Sequence, residues 1–124
     1  MTEVTIRWTM QATDSVAELL SYIGAQPYGD SLARAREIYK SVWLLRDHPE
    51  IGPVSHIRYQ KQYRKLVVED RFHVYYIYYP PNDRRKGIVS IRAVRHAALK
   101  NPFAGVRETP RYGYSPTLRN YAHL

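Results

Sequence analysis

The sequence predicts an α+β domain, an N-terminal strand and a helical hairpin packed on an antiparallel β-sheet. Three observations carry the architecture. An alternating segment opens the chain, two stretches of helical period follow, and the second half holds β-rich segments joined by loops too short for crossovers. At 124 residues one domain is the default. A compact fold of that size buries about two thirds of its unfolded surface, enough for one core without staples.

Val4-Thr5-Ile6-Arg7-Trp8 alternates apolar and polar residues and reads as a short strand. Val16, Leu19, Leu20 and Ile23 then fall on one helical stripe. Ser15 and Glu18 have capping-box spacing, and Thr9 offers an earlier cap. Gly24 is a stop signal, and Pro27-Tyr28-Gly29 is turn chemistry. A second helix is expected from Asp30 or Ser31. Leu32, Ala35, Ile38, Tyr39, Val42 and Leu45 hold the period to about Asp47, and Pro49 ends it by lacking an amide. A short connection makes the two helices antiparallel.

Gly52-Pro53 marks a loop, and Tyr63–Glu69, Phe72–Tyr79 and Gly87–Arg95 read as strands. Glu69-Asp70-Arg71 is a hairpin turn, and Pro80-Pro81-Asn82-Asp83 breaks the chain before the next strand. The expected core is Ile6, Leu19, Ile23, Val42, Leu45, Leu66, Val74 and Ile91. From Asn101 the periodicity stops among Pro102, Gly105, Pro110, Gly113 and Pro116. The division expected is a domain over residues 1–103 and an extended or disordered arm over 104–124, with Phe103 to Val106 lying across the domain.

Nineteen Lys+Arg against eleven Asp+Glu leave a formal net charge of +8, which favours anionic partners. With no cysteine, disulfides, cysteine-bearing zinc sites and cysteine nucleophiles are excluded. No apolar run reaches the ~20 residues a membrane span needs, and no basic segment followed by an apolar one opens the chain. The expectation is a cytoplasmic protein without membrane contact. Tyrosine occurs twelve times, and half of these residues lie between Tyr59 and Tyr79. They suit half-buried strands as well as base stacking.

The densest charge runs from Arg84 to Lys100, with six basic residues and no acidic one. Uninterrupted alternation puts Val89, Ile91 and Ala93 toward the helices and Ser90, Arg92, Val94 and His96 on the open face, joined by Lys65 or Arg64. Such a face suits a phosphodiester, with a solvated basic face as the plainer account. His48 fits a helix end, His56 a loop, and His123 the arm, whereas His73 begins a strand and points either way. His96, at a strand end beside arginines, is the candidate acid or base, and a ring hydrogen-bonding the strand terminus explains it equally well. No HxxxH or HExxH spacing, phosphate-binding glycine loop or GxSxG occurs, so no metal or cofactor is expected.

The order Trp8-Thr9-x-x-Ala12, Leu20-x-x-Ile23, Leu45-x-x-His48-Pro49-Glu50-Ile51-Gly52, Tyr63-Arg64-Lys65-Leu66-Val67-Val68, Phe72-His73-Val74-Tyr75-Tyr76 and Ile91-x-x-Val94-Arg95-His96 resembles the RelE/ParE superfamily of type II toxins over about residues 4 to 103. The resemblance implies a growth-inhibiting toxin held inactive by a cognate antitoxin from the same operon. RelE-like members are ribosome-dependent mRNA interferases that need no metal, and ParE-like members act on DNA gyrase. The His-Pro-Glu-Ile-Gly loop and the Val-x-His strand end are most similar to ParE-type members. Val68 stands where the RelE pattern has an arginine, and no tyrosine follows His96 closely. Against that, Arg92-x-x-x-His96-Ala97-Ala98-Leu99 resembles the end of some histidine-dependent mRNA-cleaving members, although Lys100 stands where those carry an aromatic residue. The expectation is a ParE-like gyrase inhibitor, with the ribosome-dependent endoribonuclease as alternative. In the second case Arg92 and His96 would be catalytic. Arg64, Lys65, Arg95 and Lys100 are the expected nucleic-acid or partner contacts.

Overall fold

The computed structural model describes residues 4–98. Strand β1 (Val4–Trp8) leads into helix α1 (Met10–Gly24) and helix α2 (Ser31–Trp43), which tightens into a 3-10 turn at Leu44–Arg46. Strands β2 (Val54–Arg58), β3 (Lys61–Val68), β4 (Phe72–Tyr79) and β5 (Gly87–His96) follow. They form one sheet of order β1-β5-β4-β3-β2. Three antiparallel ladders join β2 to β5, and β1 pairs parallel with β5 along the far edge. The α+β architecture expected from the sequence is observed, with the first strand entering through a parallel crossover that the helices provide.

Thr9 caps α1 from outside, its hydroxyl accepting the Ala12 N–H at 3.1 Å. Asp30 does the same for α2 through the Ala33 N–H. Between the helices the chain turns so tightly that any side chain at Gly29 would collide with the Ile23 carbonyl. Ala12, Val16 and Leu19 of α1 and Ile38 and Val42 of α2 bury against Val68, Val74, Tyr76, Val89, Ile91 and Val94 of the sheet. All eight expected core residues take part: Leu19, Val42, Leu45, Val74 and Ile91 are buried, and Ile6, Ile23 and Leu66 are packed at the margin.

Three local expectations need correction. Residues 54–58 form the edge strand β2, so His56 is a strand residue and not a loop residue. Ser15 is not a helix cap; it lies buried inside α1. Alternation along β5 is also interrupted. Tyr75 stands opposite Ala93 and Tyr76 opposite Ile91, which leaves Arg92 as the extra residue of a bulge. Beyond it the phase reverses. Val94 and His96 turn toward the helices, and Ala93 turns to the open face.

Candidate functional site

Strand register determines which side chains share the face away from the helices. On β4 and β5 the pairs His73–Arg95, Tyr75–Ala93 and Ile77–Ser90 stand together, and β3 adds Tyr63, Lys65 and Val67. This face is less open than the sequence suggested. Tyr63, Tyr75, Ile77 and Ala93 form a second buried cluster, with Tyr79 packed against it. The His56 ring stacks on Tyr63 at 4.6 Å between centroids, and Arg92 donates from Nη2 to the Tyr79 hydroxyl at 3.2 Å.

Burial sets the proton chemistry here. The Tyr75 phenol is pushed up to about 12 by loss of solvent, against the pull of Arg95. Tyr63 is raised for the same reason, with Arg92 and Arg58 opposing. His73 is lowered, first by burial and then by Lys65 and His96. Arg95 is lowered by burial, with Glu18 and Tyr75 acting in the other direction. The face therefore holds neutral phenols among cations, which suits anion contact better than proton transfer.

The expected site residues separate. Lys65, Arg92 and Arg95 lie on this face. Arg64 points to the other side, where Nη1 donates to the carbonyls of Gly52 at 2.8 Å and Glu50 at 3.2 Å, and Nη2 meets the Glu50 carboxylate at 3.6 Å. It holds the loop before β2. Lys100 lies outside the described residues, as does the arm over 104–124.

His96 is on the helix side. Its ring meets Phe72 edge-on at 5.8 Å, and Nδ1 accepts the Ala98 N–H at 3.0 Å. It borders a hollow of about 380 Å³ between α1 and the end of β5, which Ser15, Leu19 and Tyr22 also line. Arg92 and His96 are thus held on opposite faces, separated by the bulge. Among the described residues no three His, Asp or Glu side chains gather as a metal site.

The helical layer presents a separate surface. Leu32, Tyr39 and Trp43 of α2 and Leu44 of the 3-10 turn are exposed, Trp8 packs its ring against Tyr39 at 5.0 Å, and the Arg46 guanidinium lies over Trp43. These side chains leave apolar area exposed along α2 and the turn that ends it. The helical period places Leu32 and Tyr39 on the stripe expected to be buried, whereas the structure exposes both beside Trp43 and buries only Ile38, Val42 and Leu45 of that stripe.

No curated protein matches the chain. A family model for the ParE toxin of type II toxin–antitoxin systems, parDE, matches residues 6–99, from the first strand past the end of β5. That span covers most of the sequence, and the fold agrees with the toxin architecture that the resemblance implied. The chain therefore belongs to the ParE toxin family, in the RelE/ParE superfamily of type II toxin–antitoxin toxins.

Proposed function

We propose that this toxin inhibits growth by binding DNA gyrase and stalling it on DNA. The observation that carries this reading is the separation of Arg92 from His96. A metal-independent nuclease needs its phosphate-binding cation and its acid or base within reach of one phosphodiester. Here the arginine is fastened to Tyr79 on one face, and the imidazole packs on Phe72 on the other. Noncatalytic inhibition requires no such convergence.

The alternative is ribosome-dependent mRNA cleavage. It draws support from Lys65, Arg92 and Arg95 sharing a face with His73. The pure protein added to gyrase supercoiling, and separately to translating ribosomes, distinguishes the two. Loss of supercoiling with intact mRNA supports the gyrase reading, and cleaved mRNA in the ribosomal A site overturns it. Under the gyrase reading His96→Ala leaves toxicity within a few fold, whereas loss of an acid or base would cost roughly 10²–10⁴ in rate.

Family membership implies a cognate antitoxin. Its proposed form is an acidic segment that folds on binding and covers the helical hairpin, or adds a strand to an edge of the sheet. The exposed Leu32, Tyr39 and Trp43 and the net charge of +8 support it. Toxin mixed with the product of its operon neighbour should elute earlier in size exclusion than either alone, and an unchanged profile counts against it. No helix among the described residues is long and apolar enough to cross a membrane, and a cytoplasmic site of action is part of this proposal.

A further inference from the structure

The β4–β5 connection is an exposed and cationic turn. Every residue from 80 to 86 is exposed. Arg84, Arg85 and Lys86 follow one another there, with Asp83 as the one acidic neighbour. Like charges crowded on a short turn repel one another, so a sequence that merely needed solubility gains nothing from concentrating them.

The turn is also braced. The Asn82 side-chain oxygen accepts the N–H groups of Arg84 at 2.8 Å and Arg85 at 3.0 Å, and the Asn82 N–H donates to the Arg85 carbonyl at 3.0 Å. The Arg85 guanidinium lies 5.9 Å from the centroid of the Tyr79 ring, whose hydroxyl takes the bond from Arg92. The tip is thereby tied to the cationic face of the sheet.

We propose that this tip is a contact for the phosphodiester backbone of nucleic acid, with Arg84, Arg85 and Lys86 supplying the charge and Asn82 fixing the turn. A protein partner would need an apolar or aromatic anchor at the centre of the contact, and the tip offers only Pro80 and Pro81. A phosphate backbone needs no anchor. It rewards closely spaced cations through counterion release and accepts planar guanidinium groups in particular. A narrow exposed turn also enters a groove more readily than it lies on a flat acidic surface. The inference stands apart from the gyrase reading, because binding to naked nucleic acid is measured without gyrase.

The test is fluorescence anisotropy of the full chain with a short mixed-sequence DNA duplex, and in a second arm with single-stranded RNA, across about 50 to 200 mM salt. The triple replacement of Arg84, Arg85 and Lys86 by Ser should weaken binding at low salt by about tenfold or more and make the salt slope shallower by about 2 to 3. Asp83→Asn, which leaves all three cations in place, should tighten binding by about threefold. Circular dichroism establishes that each variant is folded. Should the triple variant fail to fold, Asp83→Asn decides alone. A tighter DNA than RNA isotherm assigns the contact to duplex, and the reverse to RNA; either supports the proposal. Unchanged affinity and slope in the variants overturn it. So does a preference for polyglutamate over both nucleic acids, which would make the tip a contact for acidic protein.

Discussion

The hydroxyl of Ser15, buried in the middle of α1, accepts the backbone N–H of Val94 on β5 at 2.9 Å while donating to its own helix at the Ala12 carbonyl, 2.8 Å away. The bond exists because β1 is shorter than β5. The β1–β5 ladder ends with Trp8 opposite Ile91, and from there α1 takes over the edge. Thr9 donates to the Ile91 carbonyl from both its N–H and its hydroxyl, and Ser15 covers the next inward amide.

Ser15→Ala therefore leaves a buried N–H without a partner. The expected loss is about 1–3 kcal/mol. Denaturant unfolding checks it, with the midpoint falling and the slope unchanged. Ser15→Thr keeps the hydroxyl and should recover part of the loss. A Ser15→Ala protein as stable as the parent would mean that water reaches Val94.

The loop before β2 is held by two contacts to a single glycine. The Tyr76 hydroxyl accepts the Gly52 N–H at 3.0 Å inside the protein. A methyl group placed on Gly52 would come within 2.8 Å of the Lys65 carbonyl and 2.9 Å of that same hydroxyl. Gly52→Ala must push backbone aside and should cost about 1–3 kcal/mol. Tyr76→Phe leaves the N–H unsatisfied and should cost about 1–2 kcal/mol. Because the two share a contact, the double variant should lose less than the sum of the singles, which a double-mutant cycle in thermal unfolding reads directly.

Two hairpins turn on residues that tolerate their backbone poorly. Tyr59 and Gln60 have φ of 51° and 64°, and Glu69 and Asp70 have 55° and 56°. Both central residues of a two-residue hairpin need the left-handed region, which Asn-Gly adopts at least cost. Replacing Tyr59-Gln60 by Asn-Gly should stabilise the fold by about 1 kcal/mol, a rise of about 4 °C in Tm. Arg58 lies over the Tyr59 ring at 4.9 Å, and losing that contact offsets part of the gain. No rise in Tm, or a fall, would show that the aromatic contact outweighs the relief of backbone strain.

These turns also explain what the sequence did and did not disclose. The helices were legible because Val16, Leu19 and Ile23, then Ile38, Val42 and Leu45, repeat at helical spacing, and all of them meet the core or its margin. Phe72–Tyr79 was legible because breakers flank it. β2 was not, because Tyr59-Gln60 carries none of the Gly, Asn or Pro that signals a turn. The reversal at Arg92 was equally silent, since an extra residue leaves composition unchanged. The adjacent apolar pair Ala93-Val94 was the sole hint, and strict alternation carried through it puts His96 on the wrong face.

His73 gives the fold a mild sensitivity to acid. Its folded-state value is lowered from 6.5 by burial, with Lys65 and His96 adding to the effect. Below 6.5 the unfolded chain therefore binds the proton more readily than the folded one. Its contribution is complete above 6.5 and is lost as pH falls through that value toward the folded one. Between about pH 7 and pH 5 the parent should lose more Tm than His73→Gln does. Parallel curves for the two proteins would show that the ring is solvated when charged.

At the alkaline end three buried phenols act together. Tyr75 is pushed up from 10.0 to about 12, and Tyr63 and Tyr76 are raised as well, in each case chiefly by burial. For Tyr76 the Gly52 N–H and Arg64 work against that rise, and for Tyr63 and Tyr75 the neighbouring arginines do. An acid raised in the folded state loses its proton first in the unfolded chain, so these groups contribute stability that is complete below 10.0 and declines as pH rises toward about 12. Spectrophotometric titration of the phenols should accordingly be biphasic, with most tyrosines ionising near the ordinary value and a late group ionising together with the loss of near-UV circular dichroism. Tyr75→Phe should shrink the late phase and extend folding to higher pH. A single phase at the ordinary value, with the fold intact, would mean that solvent reaches all three rings.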